Sequence, residues 1–308
     1  MSARRTSGGL DGILLVDKPA GWTSHDVVAK ARGILGQRRI GHTGTLDPMA
    51  TGLLVLCLGQ ATRVVEFMVG HDKRYTGTIK LGASTTTDDA EGLVFNRRAV
   101  PGLDRPALDA ALGRFRGAIM QRPPAFSAIK VGGKRAYDVA RAGHPVELVE
   151  RQVMVHTFNA WPAGADELSI DLTCSSGTYI RSIARDLGEV LGCGGYLTSL
   201  RRHRVGSFLV SDATTLEDIA KAVRTGGLEE LVLATDDGIA DLDVAILGAE
   251  ASTIISNGGW WKSDEPLVRA SDCVRIYSTA GAFVGLGSVA ETGEIRPSKV
   301  FERPNSPK

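Results

Sequence analysis

Residues 38–59 read "RRIGHTGTLDPMATGLLVLCLG", a loop rich in glycine and threonine that runs straight into an unbroken apolar segment. The reading of this stretch decides the fold class. A phosphate-binding P-loop requires G-x-x-x-x-G-K-[ST], and no lysine follows Gly44 or Gly52. A dinucleotide fingerprint requires strand, glycines, then helix, whereas here the glycines precede "GLLVLCLG", which reads as a buried strand. Both nucleotide readings therefore fail on order and on missing residues. The only acid of the stretch, Asp47, stands directly before Pro48, which biases it toward extended backbone. Taken alone, "TLDP" favours a turn over a reactive site.

The surrounding chain has 308 residues, 43% hydrophobic and 23% charged, enough for one large domain and a small one. The start has a basic tip but no apolar core of signal-peptide length, and the longest apolar run, Leu53 to Leu58, is too short to cross a bilayer. The expectation is a cytoplasmic protein without membrane association. Four scattered cysteines, with no C-x-x-C pair, and six scattered histidines predict buried structural thiols and no metal site. The net charge of +1 hides an asymmetry: residues 1–230 carry +5 and residues 231–308 carry −4. A mildly basic larger part permits an anionic partner. Each local basic cluster, taken singly, reads as a solvated face.

Along the chain, "LLVDKPAGWTSHDVVAKARGILG" reads as strand, Pro-Gly turn and helix, with Val27, Val28, Ala31, Ile34 and Leu35 as the apolar stripe. "RYTGTIKLG" is a strand ended by the polar turn "ASTTTDDAEG", and "RPALDAALGRFRG" is a helix with Leu108, Ala111, Leu112 and Phe115 on one face. Residues of about 120–152 form a basic excursion, with three prolines, a Gly-Gly and six Lys/Arg against three Asp/Glu. "ELSIDLTC" alternates, with Leu168, Ile170 and Leu172 inward. The helix that follows buries Ile180, Ile183, Ala184, Leu187 and Leu191, and places Arg181 and Arg185 on a shared, different face. A capped helix, "TTLEDIAKAV", closes the larger domain. From about residue 231 the texture becomes short-stranded, glycine-rich and acidic, with "VRIYSTAGAFVGLGSVA" as a hairpin. The fold class is α+β, since strands and helices do not alternate as a dinucleotide fold demands.

Six segments in order resemble the TruB-type bacterial tRNA pseudouridine synthases, over nearly the whole chain. They are "LLVDKPAGWTSHDVV", "GHTGTLDPMATGLLVLCLGQATR", "DKRYTGTIKLGASTTTDDAEG", "PPAFSAIKVGGKRAYDVARAG", "CSSGTYIRSIARDLGEVLG" and "YLTSLRRHRVGSF". The tail resembles a PUA domain, a small RNA-binding β-barrel. One departure is "RYTGT", where more polar or bulky residues often follow the tyrosine. The resemblance implies a pseudouridine synthase fold with a central mixed, mainly antiparallel β-sheet flanked by helices. It divides the chain into a catalytic domain, 1–230, with an RNA-gripping insertion at about 120–152, and a PUA-like domain, 231–308. The implied reaction isomerises uridine 55 in the T loop of tRNA to pseudouridine, by base flipping and without a cofactor or metal.

For the site, the resemblance implies Asp47 as nucleophile, attacking either the sugar C1′ or the uracil C6. Arg181 is expected to pair with it and keep it ionised, since burial raises a carboxylate's pKa. Tyr75 is expected to stack on the uracil, as a base or only as a platform. Leu200 would wall the base, and His42 would insert into the RNA or stack where the base departed. Lys18, Arg39, Lys73, Lys130, Lys134 and Arg202 are expected to contact phosphates, giving salt-sensitive affinity. The expected partner is the tRNA T stem-loop, bound by a monomer with no obligatory protein partner. Two alternatives stand beside this reading: a non-catalytic tRNA-binding or tRNA-folding protein, and a guide-dependent dyskerin-type synthase. Deletion from about residue 238 is expected to weaken tRNA binding modestly.

Overall fold

A computed structural model describes residues 4–6, 9–126, 130–131, 134–135, 148–262 and 270–301. Seven longer strands carry the main sheet: β1 (Gly9–Lys18), β2 (Thr51–Leu58), β3 (Lys73–Leu81), β4 (Gly117–Gln121), β5 (Arg151–Pro162), β6 (Glu167–Cys174) and β7 (Gly195–Val205). Their spatial order is β1-β2-β7-β3-β6-β5-β4. Short strands Arg4–Thr6, Ile40–His42, Phe208–Leu209 and Val232–Leu233 add to it. Among the described strand ladders of this sheet all are antiparallel except β2–β7, which run parallel through Arg201↔Thr51 and Arg202↔Gly52. The sheet is thus mixed and mainly antiparallel, as the family resemblance implies.

The opening stretch earns its unbroken hydrophobicity from burial on both faces of β2. Leu54, Leu56 and Leu58 enter one core with Val27, Val28 and Ala31 of helix α1 (Ser24–Leu35). Leu53, Val55 and Cys57 enter another with Ile13, Leu15 and Met68. β6 shows the opposite pattern, burying every second residue, so Leu168, Ile170 and Leu172 face inward as predicted. They meet helices α2 (Arg105–Gly113) and α3 (Ile180–Val190) in the largest core. Helices α1 and α4 (Leu216–Thr225) are capped by ordinary side-chain chemistry. Thr23 and Asp26 form a capping box at the start of α1, and Gly36, at φ 61°, ends it in the left-handed region. Thr215 caps α4.

Beyond residue 230 the chain remains attached to the main sheet. Val232–Leu233 pairs with β1, and Ile239 packs in the same core as Ile13 and Leu15. A five-stranded sheet follows, a curled half-barrel of order β8 (Asp243–Leu247), β9 (Ser271–Ser278), β10 (Phe283–Val289), β11 (Glu294–Val300) and then Trp261–Lys262. The predicted hairpin is β9–β10. Its own core gathers Ala245, Val274, Ile276 and Ile295 with Ala251 and Ile255 of helix α5 (Ala249–Ser256). The insertion at 120–152 is described at its root and in one short ladder, Lys134↔Val131 and Arg135↔Lys130. The rest of it, and the side chains of Lys130 and Lys134, lie outside the described residues.

Candidate active site

Three neighbouring strands gather the motifs. β2 leaves the Asp47 loop, β7 carries Leu200 to Arg202, and β3 carries Tyr75 directly opposite Arg202. The Asp47 loop closes as a turn, with Ala50 N donating to Asp47 O at 3.0 Å. Ser24, at the start of α1, pins the preceding residue: Leu46 N donates to its Oγ at 2.8 Å. The turn reading of "TLDP" was therefore correct as far as it went, and the turn also holds up a carboxylate.

Arg181 grips that carboxylate with both arms. Its Nε donates to Asp47 Oδ2 and its Nη2 to Asp47 Oδ1, each at 2.9 Å. Further donations reach Thr87 O at 3.1 Å and Phe126 O at 3.0 Å, so the guanidinium is fixed from several sides. The Arg181 side chain is 6% exposed and that of Asp47 is 32% exposed. The cation is thus internal while the carboxylate still opens to the outside. A bidentate, charge-assisted pair of this kind fixes the plane of the carboxylate as well as its charge.

A second acid, not singled out from the sequence, completes the group. Asp89 Oδ2 lies 3.4 Å from Arg181 Nη1, and its side chain is 4% exposed. One helical turn on, Arg185 donates to Asp88 Oδ2 at 2.9 Å. Two arginines at i and i+4 on α3 therefore face two consecutive aspartates in "TTTDDAEG". Asp88 sits at φ 62°, a left-handed conformation uncommon for a residue other than glycine. The only signal in the sequence was the Asp-Asp doublet itself, which in a polar segment reads as turn chemistry.

Tyr75 is 8% exposed and Leu200 is 7% exposed, and both lie in the core with Leu46 and Ile180. Burial pushes the Tyr75 phenol up, while the nearby Arg202 cation opposes that shift. His42 is half-buried and edge-on to His25, with ring centroids 5.8 Å apart. Burial, and then the neighbouring His25, push its imidazole down, which favours the neutral ring. Beside Leu200 a cleft of about 470 Å³ opens, lined by Ala20, Met49, Thr51 and Gly77 among others. Asp47 does not line that cleft, so cavity and carboxylate are neighbours and not one space.

The six cations expected at phosphates are placed unequally. Arg39 is exposed, with its Nε on Thr62 Oγ1 at 2.7 Å. Lys18, Lys73 and Arg202 are buried at 0%, 6% and 2% exposure, which differs from the expectation. Lys18 Nζ donates to Pro19 O at 2.9 Å and Pro48 O at 3.2 Å, tying the end of β1 to the Asp47 turn. Lys73 Nζ donates to Val69 O at 2.8 Å. Burial pushes both ammoniums down, to about 8. The physical reason for the difference is that a cation inside the fold takes backbone carbonyls, and not an outside phosphate, as its hydrogen-bond partners. Cys57, Cys174 and Cys193 are buried thiols, as expected, whereas Cys273 is only partly buried.

Comparison with known proteins gives these motifs a family. Residues 32–180 match the model of the TruB family pseudouridylate synthase (N terminal domain), and residues 181–250 match the tRNA pseudouridylate synthase B C-terminal domain. The tRNA pseudouridine synthase B of Thermobifida fusca (strain YX) is 52% identical over 232 residues, covering 73% of this chain and 79% of that protein. That of Xanthomonas campestris pv. campestris (strain 8004) is 40% identical over 307 residues, 99% of each. In fold, the chain is similar to one solved in a Cbf5–Nop10–Gar1 complex, with TM-score 0.74, 24% identity, and coverage of 95% of this chain and 85% of that one. On the length and identity of these matches, the chain belongs to the TruB family of pseudouridylate synthases.

Proposed function

We propose that this chain isomerises uridine 55 in the T loop of tRNA to pseudouridine, with Asp47 as the nucleophile. The observation that carries the reading is the two-armed Asp47–Arg181 pair, with the carboxylate partly open while its cation is internal. The N1–C1′ bond breaks, C5 joins C1′, the C5 proton leaves and N1 gains a proton. Atoms balance within the substrate, so the chain's residues need only bind, attack, orient and move a proton. Asp47 attacks C1′ or C6 from a plane that the two-armed Arg181 contact fixes. Tyr75 serves as the stacking platform: a phenol pushed up by burial holds little phenolate at neutral pH, which argues against a role as free base. Leu200 is the apolar wall, and His42, neutral, stacks where the uracil leaves. Phosphate contacts fall to Arg39, Lys130 and Lys134, and residues 231–308 act as a PUA-like RNA-binding domain.

The chain acts as a monomer in the cytoplasm, without guide RNA or protein partner. The fold likeness to a Cbf5 complex carries no such requirement, and the curated relatives are named for tRNA. Asp47→Asn is the decisive test. Tritium release from 5-labelled uridine in an unmodified tRNA transcript should vanish while tRNA affinity stays, with only purified protein present. Turnover by that variant at the wild-type rate would remove the nucleophile assignment. Binding without turnover by the wild type would favour a tRNA-folding protein instead.

A further inference from the structure

Arg202 is 2% exposed inside the main sheet, and it holds the Asp47 loop by both legs. Its Nη2 donates to Gly44 O at 3.0 Å, and its Nη1 points to Thr45 O at 3.4 Å, both ahead of Asp47. Its Nε donates to Leu53 O at 2.7 Å, beyond Asp47. On the ladder its partner is Tyr75, so both side chains leave the sheet on one face, and its cation faces the phenol. The backbones themselves touch at this point. A Cβ on Gly52, which sits at φ +97°, would stand 2.3 Å from Arg202 O, so β2 and β7 approach as closely as glycine allows. One rigid fork therefore measures the carboxylate loop against the strand that carries the tyrosine.

Net stability does not account for this arrangement. Lys18 and Lys73 lie close enough to repel the Arg202 charge, and no carboxylate hydrogen-bonds its guanidinium among the described contacts. A buried cation in such company costs free energy that an apolar residue would avoid. What a leucine or methionine could not supply is three directed donors to three carbonyls. We propose that Arg202 is a positioning residue for the isomerisation, setting Asp47 against Tyr75, and that it makes no contact with RNA phosphate. The inference rests on the roles assigned above to Asp47 and Tyr75.

The test is single-turnover kinetics on tRNA with Arg202→Lys and Arg202→Gln, alongside tRNA affinity as a function of salt. Misplacement by about 1 Å predicts a rate constant lowered about ten- to a hundredfold in both variants, with Lys the milder. Affinity should stay within about twofold and the salt slope should not change, because no phosphate contact is lost. A purely structural role would lower the active fraction, hence the amplitude, and leave the rate constant of the folded molecules intact; that outcome overturns the proposal. So does a wild-type rate with weaker binding and a salt slope reduced by about one, the mark of a phosphate contact. Should both variants fail to fold, phenylglyoxal mapping of the wild-type protein decides. Arg202 should stay unmodified while Arg39 reacts, and modification of both at one rate overturns the buried role. An Arg202→Lys enzyme at full rate beside a silent Asp47→Asn enzyme would sink this inference alone. An active Asp47→Asn enzyme would sink the reading beneath it.

Discussion

At the scale of single residues, Arg181 and Lys73 show two different fates for a buried cation. Arg181 has two carboxylates and two carbonyls arranged around a planar fork. A lysine there offers one point of charge, so Arg181→Lys should lose at least one charged hydrogen bond, about 1.5–3 kcal/mol. If that interaction is felt in the transition state, single-turnover rates fall about ten- to a hundredfold. Lys73 has only carbonyls, and burial pushes its ammonium down to about 8, below the ordinary value of 10.5. Between those two values the folded chain binds fewer protons than the unfolded chain, so this lysine makes stability rise with pH through that window. Below about 8 both forms are charged, and the cost of burying the charge is felt in full. Lys73→Met removes the titrating group. Its urea midpoint should therefore gain less than that of the wild type between pH 7.5 and pH 9.5. A wild-type gain no larger than the variant's would contradict the assignment.

At the scale of elements, α3 does more than carry an amphipathic stripe. Its N-terminal end meets the root of the basic insertion, where Ser182 Oγ donates to Arg122 O at 2.9 Å and Gln121 Nε2 to Tyr179 O at 3.0 Å. Its other end lies hard against the start of β7, where a Cβ on Gly188 would stand 2.0 Å from Gly195 N. Gly188→Ala must push helix and strand apart, an overpacking that costs typically about 1–3 kcal/mol. Because Arg181 rides two turns earlier on the same helix, the displacement should also slow turnover. The check is a lower urea midpoint at unchanged slope, together with a lower single-turnover rate constant; wild-type values for both would refute the packing argument. The stripe of α3 could be read from spacing alone. That its arginines face two aspartates could not, since those lie on a segment about ninety residues earlier in sequence, joined only by folding.

At the scale of the whole molecule, the tail is part of the support of the catalytic sheet. Leu286 and Phe301 enter the core under β1 and β2 with Ile13, Leu15, Leu53 and Val55. Arg63 lies over the Phe301 ring at 5.0 Å, and its Nη1 donates to Val300 O at 2.6 Å. The deletion from about residue 238, expected to weaken tRNA binding modestly, also removes part of this core. Removing Ile239, Leu286 and Phe301 strips one side of that core, so the truncated chain should melt at a clearly lower temperature. The narrower variant Phe301→Ala should cost about 3 kcal/mol or more in unfolding free energy if the cavity stays open. An unchanged melting temperature in either case would show that the shared core contributes nothing.

The sequence by itself determined the α+β class, strands β1, β2, β3 and β6 of the main sheet and helices α1 to α4, and the resemblance of its motifs implied the pairing of Asp47 with Arg181. Those features rest on local chemistry, on periodicity, or on motifs whose residues and order are fixed in the chain. Only the tertiary structure decided which charges are internal. Lys18, Lys73 and Arg202 look like surface cations because a basic residue reads alike whether its partner is a phosphate or a carbonyl. Asp88 and Asp89 look like turn residues because their partners sit on a distant helix. Burial and partnership are properties of neighbours in space, and the parallel contact of β2 with β7 brings residues 51–52 against residues 201–202 with no local mark in either segment.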